Sequence, residues 1–130
     1  MKIVYTGIHY DSYGSMNRPS FEYTNFYLTL KATPGLEVIE YPFDIIPEVG
    51  LDKFNVGLLE VVEKEKPDLL FAFMYTDELD KKVLKKIKDG GRTKTVAWFA
   101  DDYWRFWNYS KNWVPYFDLV VTTYSKAVDW

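Results

Sequence analysis

The 130-residue sequence has no cysteine, a single histidine, and no apolar stretch long enough to cross a membrane. A disulfide framework is therefore excluded, and any Ser-His-Asp triad or zinc site would have to be built on His9 alone. The lack of cysteine is compatible with a reducing compartment. The opening Met1-Lys2-Ile3-Val4-Tyr5 runs straight into a turn at Gly7, which leaves no room for a signal peptide, and the chain reads as cytoplasmic. Asn108-Tyr109-Ser110 is then a chance glycosylation sequon. A basic excess is missing too. With a formal charge of -3 and a pI near 5.2, the chain does not suit a nucleic-acid backbone as its main partner. Lys81, Lys82, Lys85, Lys86 and Lys88 read as the solvated face of one helix, with peripheral contact to an anionic surface as the alternative.

What the chain does have is 48% hydrophobic and 27% charged residues, the composition of one soluble globular domain over 1–130. A chain of this size buries roughly two-thirds of its unfolded surface, so its core needs no staple or metal. Aromatic residues make up 19% of the sequence, and the excess is local. Ten of the twenty residues from Trp98 to Phe117 are aromatic, including Trp98, Trp104, Trp107 and Trp113.

Short apolar runs alternate with helical periods as β-α-β-α-β-α-β-loop-β. Strands are expected over 2–6, 36–41, 68–73, 93–99 and 117–122. Between the first two, Ser20 can cap a helix whose apolar face is Tyr23, Phe26, Tyr27 and Leu30, ended by Pro34-Gly35. The second helix, starting at Leu51, carries Phe54, Leu58, Val61 and Val62 and stops at Pro67. Asp77 is expected to cap the third, which buries Leu79, Val83, Leu84 and Ile87 and ends at Gly90-Gly91. Strands separated by helices imply right-handed crossovers. The fold class expected is therefore α/β, a doubly wound, Rossmann-like parallel sheet of about five strands in three α/β/α layers. Ligands in that class bind outside the carboxyl ends of the strands, and two of the loops there exceed the usual length, 7–19 and 100–116.

The first long loop opens onto a helix N-terminus that suits a phosphate or a sugar hydroxyl. It lacks G-x-G-x-x-G and any Walker Lys-Ser/Thr, and Gly7 and Gly14 are too far apart for the dinucleotide turn. His9 can act in catalysis, with Asp11 orienting it or serving as a base, or it can be a loop residue satisfied by the backbone. The second loop places Asp101 and Asp102 between aromatic rings. The pair can bind a metal, accept sugar hydroxyls, or cap the following turn. Indole faces beside carboxylates suit carbohydrate, with a hydrophobic mini-core or a partner interface as the alternative. The mini-core or partner-interface reading is preferred for Trp107 and Trp113, whereas Tyr103 and Trp104 fit either. Ser125 can cap a final helix of about one turn, from which the natural protein is expected to continue past Trp130. A phosphoacceptor receiver domain is excluded, because Thr6-Gly7 and Phe73-Met74 stand where its acidic residues would lie.

The segment WFADDYWRFWNYSKNWVPYFDLVVTTYSKAV (98–128), with Ser20-Phe21-Glu22-Tyr23-Thr24-Asn25-Phe26 and Lys66-Pro67-Asp68-Leu69-Leu70, resembles the amino-terminal half of CgeB-like glycosyltransferases of the spore maturation protein type. The resemblance covers most of the chain. It implies a GT-B architecture, two Rossmann-like domains with the active site between them. The amino-terminal domain would hold the sugar or glycan acceptor, and the carboxyl-terminal one the nucleotide-sugar donor. By the same resemblance His9, Asp11, Gly14 and Ser15 would face the donor phosphates and the acceptor, with Glu22 and Asn25 reaching the cleft from the first helix. Asp101, Asp102, Tyr103 and Trp104 would line the acceptor side, and Thr123 and Ser125 the cleft floor. His9, Asp11 and Asp101 are the candidates for the catalytic base. No metal or resident cofactor is expected. Without the donor half the chain would be inactive, since the diphosphate leaving group needs electrostatic relief. The alternative is a non-catalytic Rossmann-like domain that uses its aromatic surface for a protein partner or for oligomerisation.

Overall fold

The computed structural model describes residues 1–129. Its strands are β1 (Lys2–Thr6), β2 (Glu37–Glu40), β3 (Leu69–Phe73), β4 (Lys94–Phe99) and β5 (Leu119–Thr122). They form one all-parallel sheet in the order β2-β1-β3-β4-β5, the doubly wound three-layer class. Each expected strand is present, shortened by one or two residues at its start, its end or both, except β1, which matches throughout.

Two residues in register on neighbouring strands share a face of the sheet. Tyr5 pairs with Glu40 and with Phe71, and Phe73 with Trp98, so these line one face. That face is covered by the helix following β1, which buries Tyr27 against Tyr5 and Phe73, with Tyr23, Phe26 and Leu30 packed around them. On the opposite face Val4, Leu70, Ala72, Ala97 and Phe99 meet α3 (Leu51–Glu65) through Phe54, Leu58 and Val62. They meet α4 (Lys81–Asp89) through Leu84 and Ile87. Trp113 and Phe117, from the long loop before β5, complete that larger core.

The first helix starts at Ser20 as its sequence suggests. The buried Ser20 hydroxyl accepts the Tyr23 N–H at 3.0 Å and donates to the Ile8 carbonyl at 2.5 Å, tying the helix to the end of β1. A regular α-helix does not follow at once. Residues Tyr23–Tyr27 form a π-turn before α1 (Leu28–Ala32). Such widened turns recur at functional sites, and here the π-turn carries Tyr23, whose ring lies against His9.

Two features differ from the sequence reading. A 3₁₀ turn, Phe43–Ile45, and the short α2 (Ile46–Val49) stand where only a connection was expected. The cap of α4 is Asp80, not Asp77: the Asp80 carboxylate accepts from the Lys82 and Val83 N–H groups at 2.5 and 3.4 Å. The start is set from a distance, because the Asn55 side chain accepts the Asp80 N–H at 2.6 Å and donates to the Glu78 carbonyl at 2.9 Å. Gly57 in α3 is needed for space. A Cβ there would collide with the Tyr41 hydroxyl, which donates to the Phe54 carbonyl at 2.9 Å.

Ser20→Ala should lower stability by about 1–2 kcal/mol, since it removes both a cap and a buried bond to β1. Urea unfolding checks this as a lower midpoint with an unchanged slope.

Candidate functional site

The chain reverses its direction of winding between β1 and β3, so the crevice that such sheets offer to ligands lies outside the carboxyl ends of those strands. The loops after β1, β3 and β4 meet there and are tied together. The Tyr13 hydroxyl donates to Glu78 at 2.5 Å, and the buried Glu78 carboxylate also accepts from the Thr76 N–H and hydroxyl at 2.7 and 2.5 Å. Arg105 donates to the Tyr75 carbonyl at 2.7 Å and lies 4.1 Å over the Tyr109 ring. The Tyr109 hydroxyl donates to the Thr76 carbonyl. Burial pushes the phenols of Tyr13 and Tyr109 well above their ordinary range, followed by the hydrogen bond to Glu78 for Tyr13 and by the charge of Glu78 for Tyr109, so both remain donors. Between the loops after β1 and β3 and α2 lies a cavity of about 400 Å³ lined by Tyr13, Ile46, Pro47, Thr76 and Glu78.

His9 leaves β1 toward the opposite face of the sheet. Its imidazole is sandwiched between Tyr23, at 3.7 Å between ring centres, and Tyr10, at 4.3 Å. Nδ1 lies 2.8 Å from a carboxylate oxygen of Glu40, the last residue of β2. The backbone N–H groups of His9 and Tyr10 both donate to the Asp44 carboxylate, at 2.6 and 2.8 Å. Burial raises the Glu40 carboxyl above its ordinary value, with His9 opposing the shift and Asp44 adding to it. Asp11 does not orient His9: it is bound by the Arg18 guanidinium at 2.5–2.7 Å, closing the loop on itself.

The aromatic segment divides in two. Trp113 is 3% exposed and belongs to the core, whereas Tyr103, Trp104 and Trp107 are 68%, 58% and 53% exposed. Of the two alternatives to a sugar platform, the mini-core describes Trp113, while Trp107 lies outside the core. The sequence offers no cue to that split, because both indoles sit in the same irregular loop and only the packing against α4 separates them. The two acids also part. Asp101 stands exposed at the start of α5 (Asp102–Arg105), its side chain capping nothing and making no ion pair among the described residues. Asp102 is buried and accepts a bond from the Ser110 hydroxyl. It also faces a cavity of about 470 Å³ beside Phe106, Trp107, Val120 and Val128. No group of three or more His, Asp or Glu able to hold a metal ion is found among the described residues.

Of the other candidates, Gly14 and Ser15 lie at the exposed tip of the first loop, where Ser12, Tyr13, Gly14 and Asn17 all take positive φ. The Glu22 carbonyl accepts the Tyr5 hydroxyl at 3.3 Å, and the Asn25 amide donates to the Phe21 carbonyl at 3.0 Å. Thr123 donates to the Ala100 carbonyl, joining the end of β5 to the Asp101 loop, and Ser125 opens a 3₁₀ turn, Ser125–Asp129. Glu40, Asp44 and Glu78 were not identified from sequence. The usable signal was position, since Glu40 is an acid at the carboxyl end of a strand next to β1. No family model and no curated protein matches this chain. No helix among the described residues is long and apolar enough to cross a membrane.

Tyr13→Phe removes the tie between the first loop and Glu78. Amides held within that loop, those of Asp11, Ser15 and Asn17, should exchange with solvent roughly fivefold faster, the equivalent of one hydrogen bond. Hydrogen exchange read by NMR checks this, with β3 and β4 unaffected.

Proposed function

We propose that this chain is the acceptor-side domain of a cytoplasmic glycosyltransferase of GT-B type. It would present a sugar or glycan acceptor to a nucleotide-sugar donor held by a second domain and would be inactive without that domain. One observation carries the reading: the exposed, unengaged Asp101 carboxylate and the exposed Tyr103 and Trp104 rings fall within four successive residues at the carboxyl edge of a parallel sheet. Sugar C–H faces pack on such rings while hydroxyls bond to an acid, and evolution toward a mere core would have turned those rings inward, as it has Trp113. The likeness of segment 98–128 to CgeB-like enzymes supports the same reading.

A second reading, a protein-interaction or oligomerisation domain, is favoured by the exposed Trp107 on the rim of the 470 Å³ cavity. The two part experimentally. On a glycan array Trp104→Ala and Asp101→Ala should each weaken binding about tenfold, the worth of one stacking or charge-assisted contact, without moving the urea midpoint. Unchanged binding contradicts the first reading. A stable dimer in light scattering, abolished by Trp107→Ala, selects the second.

A further inference from the structure

Resting on the acceptor-domain reading for the identity of the substrate, we propose that Glu40 is the positioning residue of this site. It accepts the Nδ1 proton of His9 and so holds the imidazole with a bare Nε2, available to take the proton of an acceptor hydroxyl.

Neutral imidazole carries one ring proton, and the hydrogen bond at one nitrogen decides which nitrogen that is. Glu40 lies 2.8 Å from Nδ1, and the two side chains are only 18% and 21% exposed. The competing acids are engaged elsewhere: Asp44 by two backbone N–H groups and Asp11 by Arg18. Nε2 makes no hydrogen bond among the described residues. Tyr10 and Tyr23 both stack on the ring, at 4.3 and 3.7 Å between centres. The other charged or titratable groups around the pair are Lys31 and Tyr27, on the helix that covers this face, and Tyr5, in register with Glu40 on β1. A buried carboxylate is costly unless it is paired. The partly buried Glu40 has that pairing, among the described residues, only through His9, so the geometry joins a structural need to a chemical use. In the transfer step the acceptor O–H bond breaks and its proton moves to Nε2. The acceptor oxygen bonds to the anomeric carbon of the donor, and the nucleoside diphosphate departs with the electron pair of its C–O bond. Glu40 stabilises the imidazolium so formed.

His9 is the only histidine in the chain, so its ring nitrogens can be read without assignment. Long-range ¹⁵N–¹H spectra of the chain at alkaline pH should show the proton on Nδ1 and the lone pair on Nε2. Glu40→Leu, which replaces a partly buried acid by an apolar group of similar size, should shift the tautomer ratio toward Nε2–H by about tenfold or more, while Asp44→Asn should leave it unchanged. A wild-type ring protonated at Nε2 overturns the proposal, as does a folded Glu40→Leu variant with the wild-type pattern. Should Glu40→Leu fail to fold, the wild-type spectrum alone decides. The measurement needs no sugar, so a correct tautomer in a chain that binds no glycan would sink the acceptor reading and leave the role of Glu40 standing.

Discussion

Five strands that all run the same way oblige the chain to cross a face of the sheet between each pair, and every strand therefore delivers its following loop to the same edge. The order β2-β1-β3-β4-β5 adds a reversal of winding between β1 and β3, which parts the loops on either side of β1 and opens a crevice. The rest of the structure follows from that constraint. The loop after β1 must serve two sides, sending His9 toward the helix-covered face with Tyr5 and Phe71, and Tyr13 toward the loop after β3.

Carboxylates hold these loops in place. Glu78 gathers Tyr13 and Thr76, Asp44 gathers the backbone of His9 and Tyr10, and Glu40 meets the imidazole. Each is an acid removed from water, wholly or in part; several donors converge on Glu78 and two on Asp44, whereas Glu40 has the single partner His9. The result is a rigid first half of the loop, up to Tyr10, and a tip at 12–17 whose positive-φ residues are held chiefly by Tyr13 and the Asp11–Arg18 pair. Tyr103, Trp104 and Asp101, by contrast, are presented to solvent. The carboxyl edge thus carries a fixed polar centre and, after β4, exposed aromatic rings, the pair of features that the proposed sugar-acceptor reading uses.

Much of the fold was legible in local sequence. The apolar run Leu69-Leu70-Phe71-Ala72-Phe73, preceded by Pro67-Asp68, has the composition of a strand covered on both faces, and the Ser20 cap is where a serine before a helical period should be. What escaped depends on contacts far along the chain. The choice of Asp80 over Asp77 is made by Asn55, on another helix, and the pairing of His9 with Glu40 is made by sheet register across 31 residues. Asp11, the nearer acid, was the natural local partner, and Arg18 takes it instead. The π-turn at Tyr23–Tyr27 has no signature in the i, i+3, i+4, i+7 pattern, because its widened turn coincides with stacking on His9 rather than with a change in hydrophobic period. The two fates of the tryptophans, Trp113 inside and Trp104 and Trp107 outside, are likewise set by packing that composition does not encode.

The central claim is that the carboxyl edge around His9, Asp101 and Trp104 receives a sugar. The most direct test is a titration of the ¹⁵N-labelled chain with a panel of pyranosides and short glycans, mapping amide shifts onto the fold. The account predicts saturable shifts confined to His9, Tyr10, Tyr75 and residues 100–105. Shifts gathered instead around Phe106, Trp107 and Val128, or none with any sugar of the panel, would contradict it.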